Sequence, residues 1–323
     1  MPHAKRWNAV TPTLGYGAAH LGNLYAAITD AVAEDILKAV TAGNAFIDTA
    51  PYYGHGLSEQ RIGNYLRAHP NRRPMISTKV GRRLVPCDNP SDFGFVDPAP
   101  FEPVFDYSGT GVRESLEDSL VRLDLPAVDL LLLHDIGPAT HGAAHSDLMA
   151  IVERETWPAM QRIKNDRLAG AIGLGVNECG VVLECLDRGI IPDAVMLAGR
   201  HTLLDASAER SGLIARCAAL GIGLIIAAPF NSGILAGGDR FNYSMAPRAI
   251  IEAAKQLSGI CADFGVELPA AALQFPLRCS GVSMVVAGAK NSSELHQQSA
   301  WINCRIPDAC WRAIEAARSG WLS

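Results

Sequence analysis

No apolar run among the 323 residues reaches the roughly 20 needed to span a bilayer, although hydrophobic residues make up 49% of the chain. A membrane partner is therefore not expected. Basic blocks are missing too: 28 Lys and Arg stand against 33 Asp and Glu, a net charge of -5, without the positive field that attracts nucleic acid or anionic lipid. A small molecule is the expected partner. Cysteine is present but dispersed: Cys87, Cys179, Cys185, Cys217, Cys261, Cys279, Cys304 and Cys310 include no close CxxC pair. They read as reduced packing residues, and no metal centre is expected. Met1 to Leu14 lacks the apolar core of a secretory signal, which makes the cytoplasm the default location. Also lacking is a GxGxxG after the first apolar segment with an acidic residue after the next, the fingerprint of a doubly wound dinucleotide domain.

What is present concentrates in Phe46-Ile47-Asp48-Thr49-Ala50-Pro51-Tyr52-Tyr53-Gly54-His55-Gly56-Leu57-Ser58-Glu59, which runs from an apolar segment into a turn crowded with titratable groups. Asn44 to Ile47 suits a short buried strand, Pro51 and Gly54 end it, and Ser58 is placed as a helix N-cap with Glu59 in the first turn. Asp48 and Tyr53 then stand at the carboxyl end of a strand, the end that carries active sites in barrels of alternating strands and helices. An Asp before a turn also serves as a turn former, and Tyr as packing. The order of the elements has to decide.

Apolar segments suited to strands recur at 14–19, 44–47, 74–80, 128–134, 171–177, 194–198, 223–228 and 282–287, and helical spacing falls between them. Val128 to His134 is an unbroken apolar run after Asp129, as a strand covered on both faces requires. No compositional break divides the chain. The pattern predicts an α/β protein: a single (β/α)₈ barrel over 1–323. Residues 81–111, with Pro86, Pro90, Pro98, Pro100 and Pro103, are too long for an idle connector and read as a folded loop over the mouth.

Asp48, Tyr53, Lys79 and His134 fall at the ends of the second, third and fourth strands, neighbours in such a barrel. A free tyrosine titrates near pH 10, and proton transfer near neutrality favours lowering this by roughly two units, or about 2.7 kcal/mol. An ammonium at Lys79 would do so, with Asp48 holding Lys79 and His134 donating to a substrate oxygen.

The segments FIDTAPYYG…SE, STKVG and LLLHD resemble, in order, motifs of the aldo-keto reductase superfamily, over essentially the whole chain. The resemblance implies that Asp48, Tyr53, Lys79 and His134 form a catalytic tetrad. Tyr53 rather than Tyr52 is the implied proton donor or acceptor, lying five places after Asp48. It also implies a nicotinamide dinucleotide extended over the barrel mouth. The implied cofactor positions are Gly17, Asn177, the pyrophosphate segment Pro229, Phe230, Asn231, Ser232, Gly233 and Leu235, and the last segment, with Gly288, Ala289, Lys290, Glu294, Gln297 and Gln298. Ala198 replaces a usual glutamine, and Ala227 a ring that often stacks on the nicotinamide. Gly288 and Glu294 stand where the family often has a basic pair around the 2′-phosphate of NADP. A carboxylate there implies preference for NAD over NADP, with Lys290 as the opposing charge.

Within the superfamily, GRRL…FVDPAPFEPVFDYSGTGVRESLEDSL, GVNE and LAGRHTLLD resemble the branch of L-fucose, D-threo-aldose and L-galactose dehydrogenases, to which pyridoxal 4-dehydrogenase is similar. The implied reaction is oxidation of an aldopyranose at C1 to a lactone, with His20, His55, Arg82 and Tyr107 as groups that read sugar hydroxyls. The alternatives are pyridoxal oxidation, broad aldehyde reduction with the same tetrad, and a nucleotide-binding regulatory barrel without chemistry. Oligomeric state is not legible in the sequence.

Overall fold

The computed structural model describes residues 13–43 and 45–321. Asn44, read above as the start of the second strand, lies outside the described residues, as do 1–12. In chain order the strands are β1 (Leu14–Gly17), β2 (Phe46–Asp48), β3 (Met75–Val80), β4 (Arg82–Pro86), β5 (Phe101–Phe105), β6 (Val128–His134), β7 (Ala169–Val176), β8 (Ala194–Ala198), β9 (Gly223–Ala227), β10 (Arg240–Phe241), β11 (Ser244–Met245) and β12 (Val282–Gly288). Eight of them, all parallel, close in the order β1-β2-β3-β6-β7-β8-β9-β12. The fold is a (β/α)₈ barrel. No helix among the described residues is long and apolar enough to cross a membrane.

The run Leu130 to Leu133 shows why the barrel forms where it does. All four side chains are fully buried. Leu130 and Leu132 join Phe46, Met196, Ile225, Met284 and Val286 in one cluster, whereas Leu131 and Leu133 pack with the helix residues Val112, Leu116 and Val182 in another. Successive strand side chains face opposite sides, so a strand covered on both faces needs an unbroken apolar run. Each such leucine contributes about 1.5–3 kcal/mol by leaving water.

Two expectations are corrected. Ser58 does not cap the helix Leu57–Ala68: the N-cap is Gly56, at φ 98. Ser58 Oγ instead donates to Ala18 O and meets Thr49 Oγ1, both at 2.9 Å, tying the helix start to the first two barrel strands. Its neighbour Glu59 is fully buried and accepts from Thr78 Oγ1 at 2.5 Å and Arg122 Nε at 2.7 Å. The segment 81–111 is more regular than its prolines suggested. β4 and β5 pair antiparallel, from Arg82 opposite Phe105 to Pro86 opposite Phe101. In a two-stranded ribbon both strands are edge strands, so a proline without an N–H is accommodated where that position faces away from the partner.

Candidate active site

Asp48 ends β2 and pairs in register with Ser77 of β3; Lys79, two residues on, points to the same side of β3 as Ser77. The carboxylate therefore receives Ser77 Oγ on Oδ1 and Lys79 Nζ on Oδ2, each at 2.7 Å. Lys79 Nζ also donates to Thr49 O at 2.9 Å and to Tyr53 Oη at 3.0 Å. An ammonium has three protons, and all three are used. Tyr53 reaches this point on a turn packed tightly against the loop after β1. A Cβ on Gly22 would lie 2.4 Å from the Tyr53 carbonyl carbon, and one on Gly54, at φ 61, would lie 2.4 Å from Gly22 O. The His134 ring, at the end of β6, stands 6.4 Å from the Tyr53 ring, centroid to centroid, and nearly perpendicular to it. The structure thus brings Asp48, Tyr53, Lys79 and His134 together.

The electrostatics differ from the sequence expectation at Tyr53. Burial raises its pKa well above the usual tyrosine range; Asp48 and Asp135 add to this, and Arg82 opposes it. Desolvation of a phenolate outweighs the neighbouring cations, so the site holds a neutral phenol. Burial likewise lowers the His134 pKa to about 3, with Arg82 and Lys79 adding and Asp135 opposing. The imidazole is neutral across the working range.

A second group of residues surrounds His134. Arg82 Nη1 donates to His134 Nδ1 at 3.1 Å and Nη2 to Asp135 Oδ2 at 2.9 Å. Tyr107 Oη contacts His134 O at 2.9 Å, Asp135 O at 3.1 Å and His141 Nε2 at 3.1 Å. Arg82 and Tyr107, expected to meet sugar hydroxyls, are engaged with these protein groups. His55 is fully buried with its ring against Phe93 and Phe95, and burial keeps it neutral. His20 lies next to Gly288 and feels the charges of Lys290 and Glu294. Of this network the sequence reading found Arg82, Tyr107 and His134 but not their mutual bonding; the Asp135 of LLLHD was the available signal.

The segments expected to hold a dinucleotide line the loops after β1, β7, β9 and β12. Gly17 pairs with Gly288 and Asp48. Asn177 follows β7, and its carbonyl accepts from Arg200 Nε at 2.7 Å. Beyond β9, Ala228, Asn231, Ser232 and Gly233 all have positive φ on either side of Pro229 and Phe230, a tightly turned course in which Asn231 N and Gly233 N donate to Ala228 O and Phe230 O, each at 3.0 Å. Phe230 packs on Trp301, and Leu235 is fully buried. Asn231 is 1% exposed, its Nδ2 donates to Gly199 O at 3.4 Å, and its Oδ1 has no hydrogen-bond partner among the described residues. A buried acceptor left without a donor costs about 1–3 kcal/mol, so this position fits a ligand that brings an N–H or O–H. Tyr243, on the β10–β11 turn, donates its N–H to Ser232 Oγ, and Arg240 stacks on Tyr25 at 4.8 Å, so this hairpin reaches across to the loop after β1.

After β12, Ala289 is buried and its carbonyl meets Tyr16 Oη at 3.3 Å. The helix Ser292–Asn303 begins at an Asn291 cap, whose Oδ1 accepts from Glu294 N at 2.9 Å, while Glu294 Oε2 accepts from Lys290 N at 2.8 Å. Glu294 therefore holds the helix start, with its negative charge there, and the Lys290 side chain is exposed. Gln298 Nε2 donates to Gly288 O at 2.7 Å; Gln297 is exposed.

Known proteins resemble the chain in sequence and in fold. The chain is 37% identical over 328 residues to pyridoxal 4-dehydrogenase of Microbacterium luteolum, covering 96% of this chain and 95% of that one. It is 35% identical to D-threo-aldose 1-dehydrogenase of Pseudomonas sp, covering 98% and 97%. Among solved structures, glycerol dehydrogenase from Gluconobacter oxydans superposes with a TM-score of 0.73 at 18% identity, covering 96% of this chain and 92% of that one. The holo form of an aldo-keto reductase from Bacillus halodurans superposes at 0.68 and 22%, covering 94% and 91%. Residues 13–319 match the family described as Aldo/keto reductase family, and the chain belongs to that family of oxidoreductases.

Proposed function

We propose that this protein is an NAD-dependent aldose 1-dehydrogenase that oxidises an aldopyranose at C1 to its lactone. The observation that carries the reading is Lys79 Nζ, which donates at once to Asp48 at 2.7 Å and to Tyr53 Oη at 3.0 Å beside the His134 ring. Bound NAD would supply the hydride acceptor. Tyr53, in the minority of molecules that hold it as phenolate, takes the proton of the C1 hydroxyl and becomes the phenol; Lys79 stabilises that phenolate oxygen, and Asp48 holds Lys79 in place. His134 donates to the substrate oxygen and fixes its direction. Asn177, the segment 229–235 and the segment 288–298 hold the dinucleotide, and the Glu294 carboxylate disfavours a 2′-phosphate.

Oxidation assays with L-fucose, L-galactose, D-arabinose and pyridoxal, each with NAD and NADP, test this reading. Reduced cofactor from at least one sugar, with higher kcat/KM for NAD, is expected. No reduced cofactor from any sugar rejects the aldose assignment, and higher kcat/KM with NADP rejects the cofactor assignment. A second reading, pyridoxal oxidation or aldehyde reduction, is favoured by the aromatic wall of Tyr52, Phe93 and Phe95 beside His134, which suits a flat ring. The neutral state of Tyr53 is the proton-giving form that reduction needs. Pyridoxal turning over faster than every sugar establishes the first of these.

A further inference from the structure

Arg82 opens β4 and is 8% exposed, its guanidinium lying 4.4 Å from the Tyr52 ring centroid and 4.7 Å from that of Phe105. Held between these rings, it directs Nη1 at His134 Nδ1 and Nη2 at Asp135 Oδ2. A guanidinium offers five N–H donors and no acceptor. His134 Nδ1 must therefore be the bare, accepting nitrogen, and a neutral imidazole with a bare Nδ1 carries its proton on Nε2. We infer that Arg82, anchored by Asp135, is a positioning residue that fixes His134 as the Nε2–H tautomer, so that the ring presents a donor to the substrate oxygen. The role toward substrate rests on the proposed oxidoreductase function; the tautomer does not.

The opposite tautomer meets two penalties. Its Nδ1–H would face an Arg82 N–H, donor against donor. Its bare Nε2 would face Asp135 Oδ2, 3.5 Å away, lone pair against carboxylate. That carboxylate accepts from Arg82 at 2.9 Å but stands 3.5 Å from Nε2, beyond the usual length of an N–H···O hydrogen bond, so the Nε2 proton stays available. The backbone holds the same arrangement. Asp135 has φ 47, a left-handed conformation that Asp tolerates, and its carbonyl is met by Tyr107 Oη at 3.1 Å and His141 Nε2 at 2.8 Å. Burial and the two cations facing the ring, Arg82 and Lys79, exclude the imidazolium against the pull of Asp135.

Nitrogen-15 NMR of histidine-labelled protein reads the tautomer without substrate or cofactor. The unmodified protein is expected to show His134 protonated on Nε2. Arg82→Met is expected to populate both tautomers and to lower kcat by on the order of tenfold to a hundredfold, leaving KM for cofactor within about twofold. Arg82→Lys, which keeps the charge but not the rigid fork, is expected to restore only part of the preference and of kcat; it also serves alone where Arg82→Met does not fold. An Nδ1–H ring in the unmodified protein, or an Nε2–H ring undisturbed in the folded variants, overturns the inference. The expected tautomers in a protein that turns over no sugar or aldehyde would overturn the proposed function instead, leaving Arg82 as the group that sets the His134 proton.

Discussion

A lysine with all its protons committed has one arrangement, and at Lys79 that arrangement joins a carboxylate to a phenol. Removing the charge with Lys79→Met leaves Asp48 buried, with Ser77 Oγ as its remaining side-chain hydrogen-bond donor among the described residues. The expected cost is about 3–5 kcal/mol in urea unfolding, with a loss in kcat of about 10²–10⁴-fold. The raised pKa of Tyr53 sets the sign of the pH dependence. Below that pKa the phenolate is the minority form, growing about tenfold per pH unit, so oxidation should climb through the alkaline range past the ordinary tyrosine value of about 10. Reduction, which needs the phenol, should stay flat there. A pH–rate profile in which oxidation levels off near neutrality, at about pH 7–8, contradicts the burial argument. The convergence of Asp48, Tyr53, Lys79 and His134 was legible because each lies near a strand end, where position along the chain fixes position in space. The direction of the Tyr53 shift was not, because the sequence shows the neighbouring charges but not how much water is excluded.

At the scale of elements, the same distinction separates the barrel from the β4–β5 hairpin. The eight barrel strands announce themselves as apolar runs, since both faces are covered. The hairpin has no buried apolar run, each strand passing from buried or half-buried residues to two exposed ones, and it contains prolines, so its place depends on contacts with Tyr107 and His134 distant in sequence. Its entry is Gly81, at φ 112, where an added Cβ would lie 2.5 Å from the Tyr107 ring. Gly81→Ala combines an unfavourable backbone conformation with a clash and should cost about 1–3 kcal/mol in chemical denaturation, while displacing Arg82 and Tyr107. Unchanged stability would show that the hairpin yields without strain. Ser58 and Glu59 make the converse point: a capping pattern in sequence was drawn into buried hydrogen bonds with Ala18, Thr49, Thr78 and Arg122 because the helix start lies against the barrel.

For the whole molecule, a barrel that keeps His134 neutral binds one proton fewer than its unfolded chain over part of the acid range. The folded pKa of about 3 lies below the usual histidine value of about 6.5. The contribution of His134 to stability is therefore full at neutral pH and is lost as pH falls from about 6.5 toward 3. Urea midpoints should fall less steeply with acid in His134→Gln than in the unmodified protein, and parallel curves would contradict the shift. Binding of NAD to the loops after β7, β9 and β12 should likewise raise the melting temperature, by a stabilisation of about 2.7 kcal/mol at one hundred times Kd. The proposed oxidation depends on proton transfer by Tyr53, and Tyr53→Phe isolates that step by deleting a single oxygen. With a sugar that the unmodified protein oxidises, the variant should lose about 10²–10⁴-fold in kcat while binding the dinucleotide with Kd within about twofold. A variant that keeps the full rate contradicts the account.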